Sequence, residues 1–305
     1  MKISVFLMKK IIKKQSGATL IAIIVTMLVL AVIGAAIYSL TYTASLNQVV
    51  AQRAAKAFYI AESCVRVAAS EYKAVANKNT TLISLHNQTF PMPGNQGSCT
   101  VLIYPYWFYA RAAYAAGTSS ITLYLPGDMP KVDEDGSAAI SLFAGGNLKI
   151  KGASGAVAVF SNASIGTFNG STGTPVTFTL SAPFSVAIAV NDEFYIGYNY
   201  TSSAPAPNPG GNLILNISVS DTNDDMAKIF PPSKGSIFVD SGGAISQYVY
   251  EERIINTASN PHTVTLTNIQ AVPGAPAPVW PVAINDTPIY MGRSLGLRST
   301  STYGD

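Results

Sequence analysis

From Gln15 to Gln52 the chain carries no charged residue, and no proline occurs between Ala18 and Pro91. Within that stretch, Ala18 to Tyr38 (ATLIAIIVTMLVLAVIGAAIY) is almost wholly apolar. About 20 apolar residues in a helix match the thickness of a bilayer core, so residues 18–40 read as a membrane span. Lys9, Lys10, Lys13 and Lys14 stand just before it. Positive charge on that side holds the N-terminal end in the cytoplasm, which places everything after Tyr38 outside. The helical pattern runs on past the span. Leu46, Val49, Val50, Ala54, Ala57, Ala61, Cys64, Val65, Ala68, Tyr72 and Val75 recur at near-helical spacing, interrupted by Arg53, Lys56, Glu62, Arg66, Glu71 and Lys73. That spacing predicts an amphipathic second half with a stripe of small residues. Gly34 is the one glycine inside the run. Residues 18–78 as one helix would measure roughly 90 Å at 1.5 Å per residue.

Only 11% of the residues are charged, well under the usual quarter. Gly, Ser, Thr, Asn and Pro make up the difference, as in a loop-rich, β-rich extracellular body. The formal charge of +3 comes from the N-terminus, because five lysines and no acid lie in residues 1–17. Without those five, 14 of the 19 basic residues remain against 16 acidic ones, a net charge of −2. A weakly acidic body has no basic footprint for nucleic acid. The two cysteines, Cys64 and Cys99, can pair in only one way within the chain, and an oxidising compartment favours that bridge. It would tie the end of the helix to the first strand after it.

The N-terminal border carries more than an address. A secretory signal has a shorter apolar region with a cleavage site behind it, and a plain anchor does not explain Gly17 between the lysines and the apolar run. KKQSG followed by ATLIA resembles the class III leader of type IV prepilins, in which a basic leader ending in glycine is cut off and the apolar helix is kept. Met8 would then be a compact alternative start. AAKAFYIAESCVRVA (Ala54 to Ala68) is similar to the stretch that follows the anchor in minor pilins of the PilX-like kind. The resemblance covers about residues 8–75. It implies processing between Gly17 and Ala18 by a prepilin peptidase, with N-methylation of the new terminus, although Ala18 stands where Phe is usual. It also implies an assembly helix that includes Ala22, Gly34, Phe58, Ala61 and Glu62. The implied partners are other pilins through helix packing, the assembly machinery, and the inner membrane before assembly. The implied location is first that membrane and then a pilus on the cell surface. Major pilins carry Glu five residues after the cut, where it neutralises a neighbour's terminal amine, and here that position is Ala22. A buried ammonium without a partner is costly, so a subunit lacking the acid is expected to be rare, or to sit at a tip. The alternatives are a K-like pseudopilin of a type II secretion system, which carries a helical insertion rather than a β-rich one, and a single-pass anchored surface adhesin.

The expected fold class is α+β: a long helix and then an antiparallel β-rich region, in two sheets or subdomains. The expected divisions are a leader over 1–17, the helix over 18–78, a linker over 79–96 and a β-rich domain over 97–200. A proline-rich loop over 201–212 and a second β-rich part over 213–305, ending in a polar tail, complete them. Short β-type runs punctuated by Gly, Pro and Asn support this, among them Thr100–Tyr104, Ile121–Leu125, Ala139–Phe143, Val176–Leu180, Ser185–Val190 and Glu193–Tyr200. The region is larger than a minimal pilin needs, which points to an added adhesive part with a surface ligand.

Chemical signals are sparse, and neither an enzyme nor a cofactor is expected. His86 and His262, the only histidines, stand apart from Cys, Asp and Glu clusters, so no transition-metal site is expected. GRSLG (Gly292 to Gly296) has the spacing of a nucleophile elbow, but no His follows Ser294, whereas the elbow needs strand, Ser, helix and a downstream His. Asp221, Asn223 and Asp225 alternate as at the start of a calcium loop, but Met226 replaces its glycine and Pro232 its glutamate. They are weak calcium candidates, as is the Asp133–Gly136 turn. The aromatic segment Tyr104 to Gly117 is expected to be core, with a sticky exposed surface as the alternative.

Overall fold

The computed structural model describes residues 3–131, 139–151, 156–202, 210–241, 244–272 and 285–303. The chain forms two compact units divided after Ile60. The first is the greater part of helix α1 (Ile3–Ala74). Leu20 to Lys56 are exposed throughout. The hydroxyls of Thr26, Thr41 and Thr43 donate back to the carbonyls of Ala22, Ile37 and Ser39, each at 2.8 Å, so these polar side chains are satisfied within the helix itself.

Helix α1 ends at Ala74 rather than at the expected Lys78. The cause is local. Asn77 accepts from Thr80 N–H and opens a second helix, α2 (Lys78–Leu85), while the Lys78 ammonium donates to the Tyr72 and Lys73 carbonyls at 2.6 and 3.1 Å and closes the first. Residues 79–96 are therefore not a linker. They hold most of α2, strand β1 (Gln88–Pro91) and a single 3-10 turn. Leu82, Ile83 and Leu85 are buried.

Strand β2 (Gly97–Pro105) follows, then β3 (Phe108–Ala110), β4 (Ser120–Leu125), β5 (Gly146–Ile150), β6 (Val157–Ile165), β7 (Thr174–Ala182) and β8 (Glu193–Thr201). Beyond the proline-rich segment come β9 (Leu213–Asn216), the one-turn α3 (Asp225–Lys228), β10 (Ser236–Ser241), β11 (Ala244–Val249) and β12 (Arg253–Asn256). The chain ends with β13 (Thr263–Leu266), β14 (Gln270–Ala271), β15 (Asn285–Met291) and β16 (Leu295–Tyr303). The α+β class holds. Of the expected strands, Ala139–Phe143 and Ser185–Val190 are not strands, since each contributes only one isolated bridge.

Three features organise the second unit. Strands β3, β4, β7, β6, β5 and β8 pair in that order, and β8 returns to β3, closing an antiparallel barrel. Closure pairs each of these strands on both sides, which removes most of their edges. Inside, Phe108, Phe160 and Phe178 meet edge to face at 5.2–5.4 Å, the arrangement that aromatic quadrupoles favour. The far half of β8 leaves the barrel and pairs with β15, which continues the sheet through β10 and β11 to β14. Gly197 makes that branching possible, because a Cβ there would lie 2.7 Å from the Ile289 carbonyl. The segments 97–200 and 213–305 are thus not two β-rich parts. Strands from both share β8, and a single apolar core runs from Tyr106 to Met291.

The third feature is a small antiparallel sheet, β1-β2-β16. The expected polar tail is its last strand, paired with β2 over nine residues from Leu295↔Pro105 to Tyr303↔Gly97. Everything from Tyr106 to Ser294 is therefore inserted between two adjacent strands of that sheet.

Candidate functional site

The residues expected on an assembly helix all lie on α1. Gly17 and Ala18 fall within it, and the backbone is helical through both. Ala22 is exposed, and a Cβ added at Gly34 would meet nothing within 4 Å. An interior helical glycine costs about 1 kcal/mol relative to alanine, and nothing within this chain requires one there. Phe58 is 66% and Tyr59 65% exposed. Glu62 accepts from Arg66 at 2.8 Å, one turn on. The segment from Leu20 is long and apolar enough to cross a membrane.

The last turns of α1 are built into the second unit. Cys64 and Ala68, one turn apart, are each 1% exposed. Cys64 is bridged to Cys99 on β2, with Cα atoms 6.4 Å apart. Val101 and Ile103 share the pleat face of Cys99 and are fully buried. Ser299 on β16 donates to the Ala61 carbonyl at 2.8 Å. Arg293, just before β16, reaches three ways. Its guanidinium lies 3.4 Å from Tyr72 Oη, 3.3 Å from the Glu193 carboxylate and 4.7 Å from the Trp107 ring centre.

His86, at the C-terminal cap of α2, holds that helix to β2. The Ile103 N–H donates to His86 Nδ1 at 3.0 Å. The Ile103 carbonyl, 3.1 Å from the same nitrogen, already accepts from Asp128 N–H. For Nδ1 to accept from the Ile103 N–H the ring must be neutral with its proton on Nε2. Burial pushes its pKa below 6.5, with Asp128 and the Ile103 backbone pulling upward and Lys131 reinforcing the fall. The unfolded chain then binds the proton more readily. This contribution is complete above pH 6.5 and is lost as pH falls through that value. The Asp225 carboxyl acts oppositely. Burial and the neighbouring Asp221 raise its pKa above 3.8, so its contribution fades as pH rises past 3.8. Taking the wild type from pH 7.5 to 5 is expected to forfeit about one hydrogen bond, about 1 kcal/mol, or about 2–4 °C of melting temperature. His86→Gln keeps an acceptor that does not titrate and flattens that slope. An unchanged slope, followed by calorimetry, would rule out His86 as the group responsible.

The calcium candidates do not form a ligand set. Asp221 accepts from the Asp225 and Met226 N–H groups at 3.1 and 2.7 Å, so its carboxylate caps a turn. Asn223 is exposed, and Asp224 pairs with His262 Nδ1 at 2.8 Å. Among the described residues no three His, Cys, Asp or Glu side chains converge to hold a metal. Asp133–Gly136 lies outside the described residues. Ser294 sits between two strands, not before a helix, and its Oγ accepts from Ser236 N–H at 3.3 Å. The aromatic run is core: Tyr106, Trp107, Phe108 and Tyr109 are all at most 4% exposed.

The piece that sequence reasoning missed is β16. Its alternation, Leu295, Leu297, Ser299 and Ser301, was visible but too polar to read as a half-buried strand. Compared with known proteins, the chain matches no family model, no curated protein and no solved structure.

Proposed function

We propose that this chain is a minor subunit of a type IV pilus. It is cut between Gly17 and Ala18, kept in the inner membrane by its apolar helix, and drawn into a filament through that helix. The observation that carries the reading is the combination in α1. A basic leader ends in glycine, an exposed apolar helix follows, and the last turns of that helix are bridged by Cys64–Cys99 to a small antiparallel sheet. Exposed Phe58 and the unneeded small residue Gly34 suit close packing against other helices, since small residues let helix backbones approach. The role is structural. Ala22 offers no carboxylate to a neighbour's amine, which restricts the subunit to a low-abundance or end position.

Intact mass and N-terminal sequencing of the chain from its host test the first step. A mature chain starting at Ala18 is expected, and Gly17→Asp should leave it uncut. An intact N-terminus leaves an anchored surface protein, and a cut beyond Leu40 leaves a secreted one. For the second step, immunogold labelling of native filaments should give sparse or end-confined particles. Uniform labelling along the shaft would sink the minor role.

A further inference from the structure

A cleft of about 390 Å³ opens beside α2, walled by Thr80, Ser84, Tyr109, Arg111, Ser171 and Asn191. The volume lies within the range of small-ligand pockets, about 300–1,000 Å³. Its chemistry is one-sided. Among the described residues Arg111 is the one charged group in its lining, and Ile83 and Val190 add an apolar side. The nearest acid in sequence on that wall, Asp192, accepts from Ala189 N–H at 2.8 Å and does not line it.

Arg111 is held but not neutralised. Its Nη1 donates to the Ser171 carbonyl at 3.2 Å, and the guanidinium lies 5.6 Å from the Tyr124 ring centre. Among the described residues it makes no ion pair and no other hydrogen bond. A guanidinium offers five donors, so most of its fork remains open. The walls are fixed in advance. Tyr109 Oη donates to the Thr172 carbonyl at 2.9 Å, and Asn169 accepts from Ser171 N–H at 2.9 Å, closing the 169–173 turn. Asn191 sits in the left-handed region at φ 73° and its N–H donates to the Ala110 carbonyl. Fixed walls reduce the ordering cost of binding.

A planar cationic fork, hydroxyls from Thr80, Ser84 and Ser171, an Asn amide and a Tyr ring, with no carboxylate in the lining, match a hydroxyl-rich ligand bearing one carboxylate. Arg111 would take the carboxylate on two N–H groups, and the hydroxyls and amide would take the ring hydroxyls. We infer that this cleft binds an acidic sugar, a hexose ring carrying a carboxylate. The inference is independent of the pilus reading, because it concerns the body alone.

The test is titration calorimetry of the full-length protein in detergent with glucuronic acid, glucose, acetate and inorganic phosphate. Saturable binding of glucuronic acid is expected, with glucose about ten-fold or more weaker because it lacks the charge-assisted hydrogen bond, and acetate about ten-fold or more weaker because it lacks the ring hydroxyls and their hydrogen bonds. Arg111→Ala and Arg111→Lys should both weaken glucuronic acid about ten-fold, lysine because it lacks the fork. Arg111 is exposed, and circular dichroism with an unchanged melting temperature confirms that the variants fold. No saturable binding of glucuronic acid, equal binding of phosphate or acetate, or indifference to Arg111→Ala would each overturn the inference.

Discussion

Replacing both Cys64 and Cys99 by alanine is expected to lower the stability of the second unit by about 3–4 kcal/mol, the entropic value of closing a loop of this length. The sequence separation is 35 residues. For a unit of this size the melting temperature should fall by about 10 °C. A single Cys99→Ser change should be worse than the double alanine variant. It leaves a thiol and a hydroxyl in a site where both cysteines are only 1% exposed, and a buried hydroxyl adds its own desolvation cost, with the Phe90 carbonyl, 3.8 Å from Cys99 Sγ, as a distant acceptor. Urea unfolding followed by tryptophan fluorescence measures the loss, since Trp107 is fully buried and hydrogen-bonded to Asn79 on α2. A loss under about 1 kcal/mol would mean that Ser299, His86 and the buried face of β2 already fix the helix end, and that the bridge is redundant. Because the bridge joins α1 to β2, the same variants should reduce the amount of chain recovered in sheared filaments, if the proposed role is right.

That pairing was legible in the sequence, and so was the helix, because both depend on local signals. A charge-free run and two lone cysteines have few alternative meanings. The barrel and the small sheet were not legible, because they depend on which distant segments pair. Nothing in RSTST announces that it lies beside β2, about 200 residues earlier. Its serines are useful there precisely where a sequence reader discounts them: Ser299 needs the Ala61 carbonyl, and that partner exists only once α1 is in place. The two β-rich parts expected on either side of the proline-rich loop were misread for a related reason: β8 before the loop and β15 after it are hydrogen-bonded neighbours. The linker reading of 79–96 failed differently. Asn77 before Leu82, Ile83 and Leu85 is a recognisable cap followed by a short apolar face, but eight residues are too few for periodicity to stand out.

Excising residues 106–294 and joining Pro105 to Leu295 through Asn-Gly should leave a chain that still inserts, is still processed and still forms its disulfide. Pro105 and Leu295 are antiparallel partners at the ends of β2 and β16, and a two-residue Asn-Gly loop suits such a pair. The removed segment holds its own apolar core from Tyr106 to Met291, so expressed alone it should melt in one cooperative transition. The cost of separation is concentrated at few contacts. Trp107 loses Asn79, Asp128 N–H loses the Ile103 carbonyl, His86 loses the Phe168 ring at 4.2 Å, and Arg293, which leaves with the insert, loses Tyr72 but keeps Glu193. What remains of the carrier is a helix end, α2 and three strands, a body so small that it buries little of its surface and is marginal on that ground. The carrier should therefore depend on Cys64–Cys99 far more than the intact chain does. Excision alone should be tolerated, whereas excision combined with the double alanine change should abolish folding. A carrier that folds equally well without the bridge would show that the small sheet needs no staple. An isolated insert that fails to fold would show that its core is completed by the helix it was inserted behind.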